Sequence, residues 1–204
     1  MTNLRIVSGV VLLSAIQLHA QQPTLRELAA QTQGKTAVMK MGCGWPGAPF
    51  KLIASQTDLV IEGTVTSHRA YLTSDDRDIF TDYEFSLRQI ISQRAVQSSN
   101  RPGLPAPFVF KTEGGTVVLD GFPITVDVDS NGRRVTLKDG DHVIIFGKHD
   151  PADGKWRFSA WDVFYTSGDT VKNDLPVLEG HDEGLTPIMA IGVFGDKVRE
   201  MAAR

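Results

Sequence analysis

The chain of 204 residues contains one cysteine, Cys43, so no disulfide can close within it. Neither sign of charge dominates: 21 lysines and arginines face 24 aspartates and glutamates. That balance argues against a protein built to neutralise nucleic-acid phosphates or to coat an anionic membrane. Aromatic residues are 8% and hydrophobic residues 41% of the chain, which excludes a disordered chain and a collagen-like repeat. Also missing are the Gly-x-Ser-x-Gly elbow, the His-Glu-x-x-His pair, a phosphate loop and a dinucleotide fingerprint. Beyond the first twenty residues no apolar run is long enough to span a bilayer.

What is present begins at the N-terminus. Arg5 precedes a thirteen-residue, mostly apolar run at positions 6–18, followed by His19-Ala20 and then Gln21-Gln22. A basic start, a short apolar segment and a small residue at the cut describe a secretory signal peptide over residues 1–20. As a helix the run would reach roughly 20 Å, short of the ~30 Å hydrocarbon core, although an uncleaved anchor is the alternative. The expected location is periplasmic or extracellular. For an exported chain Cys43 has three readings: an intermolecular bridge, a reactive thiol, or an ordinary residue of a Gly- and Pro-rich loop.

Residues 21–57 are expected to form an N-terminal helix and an extended arm. Thr24 and Glu27 are spaced as a capping box, opening a helix that Gly34 would end. A helical turn is expected near residues 50–56. From residue 58 the period becomes two. Leu59, Ile61 and Val65 share one parity, as do Ile79, Tyr83, Phe85, Leu87 and Ile91, so both segments read as half-buried strands. Asp120-Gly121 and Asn131-Gly132 are turn signals, the second predicting a hairpin into a strand at 135–137. HVIIFG, at 142–147, reads as a strand covered on both faces. Apolar parity switches between Trp156-Phe158-Ala160 and Trp161-Val163-Tyr165, which predicts a β-bulge near Ala160. Thr186-Pro187 reads as the start of an amphipathic helix carrying Ile191, Phe194, Val198 and Met201. The expected fold is mainly β: a small closed or partly open barrel at residues 58–170, with short helices in 21–57 and 171–204.

A run from Asp58-Leu59-Val60-Ile61-Glu62-Gly63-Thr64-Val65, through Tyr71, Thr81-Asp82-Tyr83, Glu113-Gly114-Gly115 and Asp120-Gly121, to Asp139-Gly140-Asp141 and Phe146 stands in a familiar order. It resembles a broad group of uncharacterised exported bacterial proteins. Their barrel is similar to the oligonucleotide/oligosaccharide-binding (OB) fold and to netrin-like modules, which include tissue metalloproteinase inhibitors. The resemblance covers roughly residues 58–166 and implies the barrel. Two departures limit it. The Leu-Lys-Gly that usually ends the long strand is Ile-Ile-Ser-Gln at 90–93, and a mature chain beginning at Gln21 lacks the N-terminal cysteine with which the inhibitors block zinc.

Three groups of residues are candidates for chemistry. Asp127, Asp129 and Asn131 match the first half of a calcium loop, but its twelfth position is Lys138 where a glutamate belongs. Asp75, Asp76 and Asp78 form a dense acidic group, open to a metal or to solvent. Trp156, Trp161 and Tyr165 would form a binding surface if one parity faces outward. His142 and His149, seven residues apart, would point to opposite faces of one strand. The expected function is a non-enzymatic exported binding module without a cofactor. Its partner would be a protein or glycan of the cell envelope, not a nucleic acid. A metal-dependent envelope hydrolase and a calcium-stabilised barrel are the alternatives.

Expression of the full chain in an exporting bacterial host is expected to yield a protein beginning at Gln21 by intact mass. An exported protein that still begins at Met1 would favour the anchor instead.

Overall fold

The longest alternating segment forms a strand, as expected, but its apolar residues do not share one core. In the computed structural model, residues 5–7, 10–12, 23–31, 37–42, 50–94, 107–129, 134–135, 137–159, 162–172 and 185–203 are described. The elements in chain order are β1 (Arg5–Val7), β2 (Val10–Leu12), α1 (Leu25–Gln31), β3 (Ala37–Gly42), α2 (Phe50–Gln56), β4 (Leu59–Leu72), β5 (Ile79–Gln93), β6 (Phe108–Glu113), β7 (Gly115–Leu119) and β8 (Phe122–Asp129). There follow β9 (His142–His149), β10 (Trp156–Arg157), β11 (Val163–Ser167), β12 (Thr170–Lys172), β13 (Ile188–Ala190) and α3 (Ile191–Ala202). On β5, Ile79, Tyr83 and Phe85, and Ile91 enter three different clusters. Leu87, expected inside with them, is exposed, as are its neighbours from Ser86 to Ile90.

The chain forms two compact units, and β4 and β5 contribute residues to both. The smaller comprises Met1–Gly44, Arg69–Thr81 and Glu113–Arg134. Its capping box is made in full: Thr24 N–H donates to Glu27 Oε2 at 2.8 Å, and Glu27 N–H to Thr24 Oγ1 at 3.2 Å. Leu25 and Leu28 of α1 pack with Ile79, Ile124 and Val126. The strands run β1–β2–β3–β8–β7. Asp120 (φ 52°) and Gly121 (φ 87°) turn β7 into β8, the left-handed pair that a two-residue hairpin demands. β8 pairs with β7 on one edge and β3 on the other. Val135 and Leu137 are not in a strand, and Asn131-Gly132 and Thr136, on which the expected hairpin depends, lie outside the described residues. β3 falls within the stretch expected to be an extended arm; its pairing was not foreseen, because a parallel partner leaves no turn signal in the local sequence.

The larger unit comprises Trp45–His68, Asp82–Thr112 and Val135–Arg204. Strand order is β10–β6–β5–β4–β9–β11–β12–β13, and β10 pairs with β9 as well as β6, so hydrogen bonding closes the succession β4–β5–β6–β10–β9 on itself. The closing step explains the switch of parity. Arg157 opposes Lys148 and Val163 opposes Ile145, so six steps along this segment face three along β9. The extra residues let β10 reach β6, where Trp156 pairs with Phe110 and the Phe158 N–H donates to Lys111 O. The bulge expected near Ala160 falls outside the described residues, as does Trp161.

β9 is covered on both faces, as its apolar run predicted. Val143 and Ile145 pack with Leu59, Ile61, Phe85 and Phe110. Ile144 and Phe146 pack instead with Phe50 of α2, Phe164 of β11 and Phe194 of α3. The Phe50 ring lies 5.6 Å from Phe146 and 5.2 Å from Phe194. Each buried phenylalanine contributes about 1.5–3 kcal/mol by leaving water. α3 carries the expected apolar stripe, with Ile191, Phe194 and Val198 buried, but does not begin at Thr186-Pro187. Residues 188–190 pair with β12 instead, and the helix starts after Ala190 without a side-chain cap. Among the described residues no helix is long and apolar enough to cross a membrane.

Gly147 lies in β9 beneath the Phe110 ring, and a Cβ added there would collide with that ring. Gly147→Ala is therefore expected to destabilise the protein by about 1–3 kcal/mol in urea unfolding. An unchanged midpoint would show that Phe110 can move aside.

Candidate functional site

Residues 138–141 form a tight turn clamped against β4. The Val65 N–H donates to Asp141 O at 2.9 Å, and the Gly140 N–H donates to Val65 O at 2.8 Å. The Asp141 carboxylate accepts the Lys138 N–H at 2.8 Å. Gly140 has φ +93°, a conformation that costs a side chain and that glycine takes freely. The clamp sets Asp139 beside β4, where its Oδ1 lies 2.7 Å from His68 Nδ1. A carboxylate only accepts, so Nδ1 carries the proton of this bond.

His68 owes its position to a break in the pleat of β4. Val65 faces the interior cluster, and a regular strand would place Ser67 on the same face. Ser67 instead donates to Glu84 Oε2 at 2.8 Å, while the His68 ring stacks on Tyr83, 5.7 Å away at 22°. Tyr83 and Glu84 are neighbours on β5 and point to opposite faces. Tyr83 packs edge-on against Phe158 and is only 6% exposed. Burial, reinforced by Tyr165 and by the charges of Asp139 and Asp141, pushes its phenol up to about 12. It is a neutral hydroxyl at any physiological pH. At the start of β9, His142 Nδ1 shares a hydrogen bond of 2.8 Å with Thr64 Oγ1.

This rim was not assembled from the sequence. Its members stand at 68, 83, 139, 141 and 142, and only the clamped turn and the broken pleat bring them together. The Asp-Gly pair at 139–140 is a turn signal that could have located it, though it entered the sequence reading only through the family resemblance.

A second polar cluster lies where β10 meets β6. Lys111 is buried and pairs with Asp153; Arg157 pairs with Asp150, and Lys155 with Asp82 at 2.9 Å. Burial raises the Asp153 carboxyl, but hydrogen bonds from Lys111 and the Lys155 N–H, with the charges of Lys111 and Arg157, outweigh it and hold the group below its ordinary value. Glu62, also buried, accepts from Arg88 at 2.8 Å and Gln89 at 2.6 Å.

The residues singled out by sequence are dispersed. Trp156 is half-buried between Phe110 and His149, with centroids 6.3 Å and 5.3 Å away. Tyr165 is half-buried against the interior cluster, and Trp161 is outside the described residues. Asp127 pairs with Arg134 at 3.0 Å. Asp129 ends β8, and neither its side chain nor Asn131 is described. In the β4–β5 tip, Asp75 accepts from the Thr73 hydroxyl at 2.6 Å, which holds its carboxyl below the usual value. Asp76 pairs with Arg26 at 2.8 Å, and the Asp78 N–H donates to Thr73 Oγ1 at 3.0 Å. His142 and His149 stand at opposite ends of β9. Cys43 is outside the described residues. Among the described residues no three His, Cys, Asp or Glu side chains converge as a metal site. The chain matches no family model and no curated protein.

Tyr83 generates a pH dependence. Its folded-state value of about 12 lies above the ordinary 10.0, so its contribution is complete below pH 10 and is lost as pH climbs towards 12. Urea stability is expected to fall across that window, and Tyr83→Phe to flatten the fall. An equally steep loss in the variant would place the cause elsewhere.

Proposed function

We propose that this chain is an exported, non-enzymatic binding module built on a small closed barrel of the OB and netrin-like type, similar to that of uncharacterised exported bacterial proteins. Its partner is a protein or glycan of the cell envelope, met in the periplasm or outside the cell. The observation that carries this reading is the filled interior of the strand succession β4–β5–β6–β10–β9. Phe85, Phe110 and Phe158 occupy it, with Phe110 seated on Gly147. A ring packed with side chains is scaffolding, and recognition falls to its rim. The leader-like residues 1–20 supply the address.

Of the carboxylates on which the metal-dependent alternatives draw, Asp75, Asp76 and Asp127 already have partners. A cation at Asp127 would compete with Arg134, and one at the β4–β5 tip would compete with Arg26 and Thr73. Chelator is expected to leave the melting temperature unchanged, and calcium is expected not to raise it. Metal-dependent turnover of ester, glycoside or phosphate substrates would overturn the binding-module reading. A melting temperature that rises with calcium would establish the calcium-stabilised barrel.

A further inference from the structure

We infer that removal of residues 1–20 opens the outer edge of β3, and that the exported chain receives there an extended, uncharged aliphatic strand of a partner protein. The inference rests on the export step of the binding-module reading and adds a second recognition surface, in the smaller unit. There β3 stands between β2 and β8. β8 lies parallel along all six of its residues, from Ala37 opposite Ile124 to Gly42 opposite Asp129. On the other edge β2 pairs at two positions only, Val11 with Ala37 and Leu12 with Val38. Both β1 and β2 fall inside the leader-like stretch. Its excision therefore takes away every strand that pairs with this edge among the described residues.

A strand edge stripped of its neighbour presents a row of backbone N–H and C=O groups, the template on which another strand assembles. Such a row is answered by a backbone, which selects a protein over a glycan at this surface. The structure also displays a sequence that suits the place. The strand seated there is Val-Val-Leu, with neither charge nor proline. It runs parallel to β3, and an incoming segment of the same sense would extend the pairing onto Met39–Gly42, where β2 does not reach. β3 itself reads Ala-Val-Met-Lys-Met-Gly. An antiparallel pair of two β3 strands centred on each other would bring two copies of Lys40 together, which disfavours a second copy as the occupant.

The probe is a synthetic peptide of residues 9–17 of this chain, made soluble by lysines added before Gly9. It is titrated by calorimetry into the exported chain that begins at Gln21. Binding is expected, with amide hydrogen exchange slowing at residues 37–42 when the peptide is added. Val11→Pro in the peptide removes a ladder donor and leaves the protein unaltered; it is expected to weaken Kd roughly tenfold. The full chain made without export, which keeps residues 1–20, is expected to bind about tenfold more weakly, because its own tethered β2 competes. A peptide that does not bind, that is indifferent to Val11→Pro, or that protects other residues overturns the strand inference and leaves the module reading intact. A dimeric exported chain whose association the peptide does not disturb assigns the edge to a second copy and overturns it likewise. An exported chain that still begins at Met1 keeps its edge occupied and overturns the inference at its first step. Turnover of an ester, glycoside or phosphate substrate overturns the module reading itself, whatever the peptide does.

Discussion

Closure of the strand succession depends on one short contact, the pairing of β10 with β6. β10 offers only Trp156 and Arg157, and it reaches β6 because the segment after it spends six steps where β9 spends three. Two backbone pairs would hold little alone. They are reinforced from inside by Phe110, whose ring needs the bare Cα of Gly147, and from outside by charge. Loss of the Gly147 seat would force Phe110 outward and disturb the strand that β10 joins.

The charges around that contact alternate: Lys111, Asp153, Arg157, Asp150, then Lys155 with Asp82. Lys111 is buried, so its ammonium must be answered locally, and the turn at 150–155 supplies the carboxylate. The turn is itself ordered by Asp150 and Asp153, each accepting a backbone N–H two residues on. Ion pairing therefore contributes geometry more than net energy, fixing where β10 lies. Glu62, answered by Arg88 and Gln89, plays the same part between β4 and β5. Arg88 and Gln89 are neighbours that a regular pleat would send to opposite faces, and β5 loses its buried alternation over this stretch.

The rim follows from the same economy of irregular backbone. A strand that kept its pleat from Val65 onward would turn His68 away from Tyr83. The break after Val65 and the Gly140 turn bring an imidazole, a carboxylate and a buried phenol to one place. None of the three is unusual alone. Their arrangement sets an exposed imidazole–carboxylate pair against a ring that belongs to the packed interior.

Local physics was legible along the chain. Period-two alternation placed β4 and β5, the Thr24/Glu27 box placed α1, Asp120-Gly121 placed the β7–β8 hairpin, and the unbroken apolar run of β9 announced two covered faces. Each is encoded within a few residues, by side-chain direction or by allowed backbone angles. What the sequence could not declare was decided by partners far along the chain. β3 is a strand because β8 lies beside it; residues 188–190 join β12 in place of the first turn of α3; Leu87 is exposed although its parity matches Phe85. The rim belongs to this second kind. One hydrogen bond across 71 residues joins His68 to Asp139, and no period or spacing records a contact that exists only once β4 and the turn before β9 are clamped together.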